Sequence, residues 1–157
     1  MRDTMVTVNN TPIHLSDLND AFLAVDSAKL ECDGHTLMLS HALMEAKIPH
    51  LRFLGKVTVK GCDFVLPPHL WLQIDGFTVD YRLRMWINLF CGPDKASGAP
   101  HGIFSSLHYP KHHYEPLRPA PCNLLAPNLL DLITDGFASK ICIPESTLAW
   151  YSTGQMK

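Results

Sequence analysis

Asp75-Gly76 stands between two β-rich runs, His69-Leu-Trp-Leu-Gln-Ile and Phe77-Thr-Val-Asp80. No other feature restricts this chain's fold as much. A two-residue Asp-Gly connection between such runs predicts a type I′ hairpin over residues 69–82. The register then follows. Ile74 pairs with Phe77, Leu72 with Val79 and Leu70 with Tyr81, giving an apolar face. Gln73 faces Thr78, Trp71 faces Asp80 and His69 faces Arg82 on the other. His69 and Asp80 become diagonal neighbours about 7–8 Å apart at the backbone, within side-chain reach. A three-residue turn would slip the register and separate them.

Upstream, a helix is predicted from about Cys32 or Asp33 to Lys47, with Pro49 just beyond its end. Leu37, Met38, Leu39, Ala42, Leu43, Met44 and Ala46 make it apolar nearly all round, the pattern of a central, buried helix. An earlier helix is predicted from Ser16, as N-cap, to about Leu30, with Leu18, Phe22 and Val25 on one side. Residues 5–13 read as a short strand or arm and Leu51–Val59 as a strand. Pro67-Pro68 holds the approach to His69 extended. Leu83–Phe90 reads as a short helix, residues 92–102 as a loop, and residues 128–133 as a turn or two of helix. Residues 139–143 read as a last strand. Residues 109–128 carry five prolines and read as an extended surface segment. The whole, 1–157, reads as one α+β domain with its N-terminal helices packed on an antiparallel sheet.

The order thiol, imidazole, carboxylate has chemical meaning. A helix N-terminus favours the thiolate of a cysteine placed there. An imidazole takes the thiol proton and returns it to a leaving group. A carboxylate on the far ring nitrogen holds the tautomer and steadies the imidazolium. Cys32, His69 and Asp80 are the candidates for these roles. Each also has a plainer reading: Cys32 as a small core residue, His69 as a structural histidine, and Asp80 as the ion-pair partner of Arg82. Asp33, next to Cys32, opposes a thiolate.

These residues resemble the transglutaminase-like branch of the papain-like cysteine enzyme superfamily. The resemblance runs over about residues 30–86. It rests on Cys32 and its helix with Leu39-Ser40-His41-Ala42-Leu43, the strand Phe53–Val59, and His69-Leu-Trp-Leu-Gln-Ile-Asp-Gly with Asp80. The branch includes leader peptidases of lasso-peptide pathways and, more distantly, arylamine N-acetyltransferases. The resemblance implies Cys32 as nucleophile, His69 as base and Asp80 as orienter. It further implies a hydrolase or acyl-transfer enzyme acting on a peptide or small acyl substrate. The Arg-Gly-Gly that the acetyltransferases carry before their cysteine is replaced here by Lys29-Leu30-Glu31, and no cofactor is expected.

Trp71 and His101 are further candidates for contact with substrate, the latter from a glycine-containing loop, Gly98–Phe104. Cys32 and His35 with Cys62, His69 and Cys91 offer a metal-site alternative, as do His108, His112 and His113. No metal is assigned, and Cys62, Cys91, Cys122 and Cys142 read as packing residues. A non-catalytic binding module using Trp71, Trp86 and the proline-rich segment is the rival of a different class. Net charge is −2 with no basic stripe, so nucleic acid is not expected. No apolar run reaches the ~18 residues of a membrane span, and no signal-peptide core is visible. Five cysteines without a CxxC suit a reducing cytoplasm.

Overall fold

The computed structural model describes residues 5–8, 11–62 and 68–144. Strands β1 (Met5–Val8) and β2 (Thr11–His14) form an antiparallel ribbon that runs into helix α1 (Leu15–Leu23). Helix α2 (Cys32–Glu45) leads to β3 (Leu51–Val59) and the hairpin β4 (His69–Ile74) and β5 (Phe77–Asp80). Helices α3 (Leu83–Cys91) and α4 (Pro93–Ser97) follow, then β6 (Gly102–Ser105), β7 (His112–Pro119) and α5 (Pro127–Ile133). β3 to β7 form one antiparallel sheet in the order β6-β5-β4-β3-β7. The protein is a mixed α+β structure, with α2 packed along β4 and α1 along β6. Among the described residues no helix is long and apolar enough to cross a membrane.

Alternation along the strands divides the apolar residues into two clusters. Leu72, Ile74 and Val79 join Phe22, Met38, Leu39 and Leu43 of α1 and α2. Val57, Val59 and Trp71 join Leu83 and Ile87 of α3. The hairpin keeps its expected register, with Leu72 opposite Val79, Gln73 opposite Thr78 and Ile74 opposite Phe77. Its turn differs from the type I′ expected. The positive φ falls on Asp75 (54°) and not on Gly76. Loop length therefore sets the register here, whatever the turn type.

Four expectations about elements need correction. Helix α1 stops at Leu23, not near Leu30, and His14 occupies its cap position instead of Ser16. Val25, Asp26 and Ser27 are weak helix formers, and Asp26, Ala28 and Leu30 give their carbonyls to Arg82 instead. Residues 92–102 contain α4, begun by Pro93 after a left-handed Gly92. The last strand over 139–143 is replaced by a 3-10 turn, Phe137–Lys140, entered through left-handed Asp135 and Gly136. Within 109–128, His112–Pro119 is a true edge strand paired along β3 from Val59–His112 to Phe53–Pro119. Pro116 and Pro119 are tolerated because an edge strand leaves one side unpaired. Of the Pro67-Pro68 approach to His69, residue 67 lies outside the described residues.

Gly55 makes this edge possible. It sits at a bulge of β3, opposite His69 of β4. A Cβ there would lie 2.2 Å from the Glu115 carbonyl oxygen and 2.5 Å from the Trp71 ring. Gly55→Ala must push both β7 and Trp71 aside, an overpacking cost of about 1–3 kcal/mol or more. A urea midpoint unchanged in this variant would show that the sheet does not close as tightly as described.

Candidate active site

Cys32 is the first residue of α2, His69 the first of β4 and Asp80 the last of β5. Three element ends therefore meet at one place. The first turn of α2 is fastened to the sheet by Arg52 of β3. Its guanidinium donates to Thr36 Oγ1 (2.9 Å), to the Asp33 carbonyl (3.0 Å) and to the Pro121 carbonyl (3.0 Å). Thr36 Oγ1 donates in turn to the Cys32 carbonyl at 2.7 Å. The Asp33 carboxylate accepts from the Gly34 N–H at 2.7 Å.

His69 Nε2 lies 2.7 Å from Asp80 Oδ2, and both residues are buried. A carboxylate only accepts, so Nε2 carries the hydrogen and Nδ1 the lone pair of a neutral ring. Asp80 is saturated with donors. Tyr114 Oη donates to Oδ2 at 2.7 Å, while the Arg82 and Leu83 N–H groups donate to Oδ1 at 2.9 and 3.1 Å. Burial opposes the Asp80 charge, but His69 and these donors hold its carboxyl below the usual carboxylate range. Burial likewise opposes charge on His69. Asp80 overturns this, helped by the neighbouring Cys32 thiol, and raises the imidazole to about 10. The thiol thus stands close enough to favour the charged ring. Yet Nδ1 is buried with no formed hydrogen bond, so the contact is looser than the one to Asp80. Catalytic hydrogen bonds are often long before substrate binds.

No family model matches this chain. No curated protein and no solved structure matches it either.

The ion pair considered between Asp80 and Arg82 is not formed through the side chain. The Arg82 guanidinium turns away to Asp26 Oδ1 (2.9 Å) and to the carbonyls of Asp26, Ala28, Leu30 and Tyr81. Arg82 thus ties the connection preceding Cys32 to the end of the hairpin that carries Asp80. His101 Nε2 lies 2.9 Å from Asp26 Oδ2, on the wall of a cleft of about 800 Å³. Leu30, Glu31, Arg82 and Arg84 line the same cleft, so it opens next to the residue that precedes Cys32. Trp71, expected against substrate, is only 3% exposed. Its ring packs on His69 (6.2 Å) and Tyr114 (5.1 Å), which makes it a support for the imidazole.

Tyr114, Arg52 and Arg82 were not visible as site residues in the sequence. Tyr114 lies among prolines with no periodic signal, and each arginine acts through a partner distant in the chain. Among the described residues no group of three or more His, Cys, Asp or Glu side chains suits a metal ion. His35 packs against Tyr81 at 5.8 Å, and Cys62 lies against Cys91.

Proposed function

We propose that the protein is a cysteine-dependent hydrolase or acyl-transfer enzyme with a transglutaminase-like core, acting on an amide, isopeptide or thioester bond. One observation carries this reading. A buried His69 gives one ring nitrogen to Asp80 and leaves the other without a formed hydrogen bond on the side of the Cys32 thiol. The Sγ proton would rest on Nδ1 before substrate arrives, so that the sulfur adds to the substrate carbonyl as the thiolate. The resulting imidazolium, held by Asp80 and Tyr114, would then give that proton to the leaving amine or thiol. Water or an amine, deprotonated by the same ring, would release the acyl group from sulfur. The cleft of Asp26, Glu31, Arg82 and His101 is the proposed seat of a peptide or small acyl substrate, with groups of both charges on its walls.

The test needs no known substrate. Iodoacetamide mapping near neutral pH is expected to modify Cys32 ahead of the other four cysteines. His69→Ala is expected to bring its rate down to that of exposed Cys142. A p-nitrophenyl ester should give a stoichiometric burst of nitrophenolate that Cys32→Ala lacks. A second reading, a binding module that keeps the fold without catalysis, is favoured by the low exposure of Cys32, 8%. Slow labelling of Cys32 together with no burst would establish that reading and end the enzymatic one.

A further inference from the structure

Two sulfurs outside the candidate site lie nearly within bonding distance. Cys62 closes the turn after β3, its N–H bonded to the Val59 carbonyl. Cys91 is the last residue of α3. Their Sγ atoms are 2.9 Å apart. A disulfide needs about 2.05 Å, so less than an ångström of movement separates contact from bond. Both residues are only half-buried, which leaves them within reach of a small oxidant, and both belong to the apolar cluster of Trp71 and Leu83. The other three cysteines are placed elsewhere: Cys32 beside His69, Cys122 within the field of Arg52, and Cys142 exposed.

We propose that Cys62 and Cys91 form a reversible intrachain disulfide, with a low-molecular-weight disulfide as oxidant. The thiolate of one cysteine attacks the small disulfide, forms a mixed disulfide and releases one small thiolate. The second cysteine's thiolate then attacks the protein sulfur of that mixed disulfide and releases the second. Two electrons pass from the protein thiols to the oxidant, and their two protons end on the two released thiols. The bond joins residues 29 apart in the chain, and both His69 and Asp80 lie in the closed loop. It fastens the far end of α3, whose first N–H binds Asp80, to the segment that leads from β3 to His69. Oxidation therefore braces the frame of the His69–Asp80 pair from outside. The proposal does not depend on whether that pair is catalytic.

The experiment uses the full chain with oxidised glutathione as the probe. Thiol titration under denaturing conditions is expected to fall from five groups to three. The mass should drop by two hydrogens, about 2 Da. Peptide mapping should recover a Cys62–Cys91 cross-link, and dithiothreitol should reverse all three changes. Closing a loop of this length is expected to raise the melting temperature by about 10 °C. Cys62→Ser and Cys91→Ser should each abolish both the cross-link and the rise. Should either variant fail to fold, the map of the unaltered chain decides alone. A count that stays at five, a stable glutathione adduct on either residue, or bridges through other cysteines would overturn the proposal.

Discussion

Asp80→Ala is expected to lower the unfolding free energy by about 3–5 kcal/mol, because it removes one partner of a buried, multiply bonded charge pair. Four donors converge on this carboxylate: the His69 ring, the Tyr114 hydroxyl and two N–H groups at the start of α3. Alanine would leave all of them buried without an acceptor, and each such group costs about 1–3 kcal/mol if it finds no new partner. Relaxation and water entry hold the sum well below four full penalties. The loss is still a large share of the roughly 5–15 kcal/mol that stabilises a domain. Tyr114→Phe is the control. It removes one neutral donor from a carboxylate that keeps three others, and is expected to cost about 1.5–3 kcal/mol, the lower part of that range being favoured by the donors that remain. Urea denaturation of both variants decides the matter. If Asp80→Ala unfolds within about 1 kcal/mol of the parent, the network does not bear the weight assigned to it.

The same carboxylate shows what could be read in advance. The proximity of His69 and Asp80 was legible because hairpin geometry is local. An Asp-Gly connection of two residues and strict alternation leave only one register that buries Leu72 and Val79 together. The place of Cys32 at a helix start was legible for a similar reason, since an apolar run must begin somewhere and Glu31 takes the extended conformation. Tyr114 was not legible. Its strand is an edge element rich in proline, held by pairing with β3, and pairing partners far apart in sequence leave no trace in a local pattern. Arg82 misled for a related reason. Adjacency to Asp80 suggested an ion pair, but five acceptors on four different residues outcompete it, and those on Asp26, Ala28 and Leu30 belong to a connection more than fifty residues away. The end of α1 follows from the same contact, because three of the residues expected to extend the helix, Asp26, Ala28 and Leu30, give their carbonyls to Arg82.

Two buried histidines pull the stability curve in opposite directions, and its maximum is expected near pH 6.5. In the unfolded chain each titrates near the ordinary value of 6.5. His69 is raised to about 10 in the folded protein: burial lowers it, and the Asp80 charge and hydrogen bond more than reverse this. Between pH 6.5 and 10 the folded state holds a proton that the unfolded state has lost. Its contribution is complete below 6.5 and disappears as the pH rises through 10. His35 is lowered to about 3 by burial first and by the Arg82 charge second. Its contribution is complete above 6.5 and disappears as the pH falls, because the unfolded state then binds a proton that the folded state refuses. His50 and His112, both lowered chiefly by burial, act in the same direction as His35. Asp26 and Asp80, both lowered, add to the loss only below their ordinary 3.8. One proton corresponds to about 1.4 kcal/mol per pH unit, so each limb is steep enough to measure. Urea unfolding across this range should therefore give a peaked curve. His69→Gln should flatten its alkaline limb and His35→Leu should reduce the slope of its acid limb, whatever either does to the height. An alkaline limb that keeps its slope in His69→Gln would mean that the imidazole is not held charged by Asp80. The proton this mechanism requires at Nε2 would then have lost its anchor.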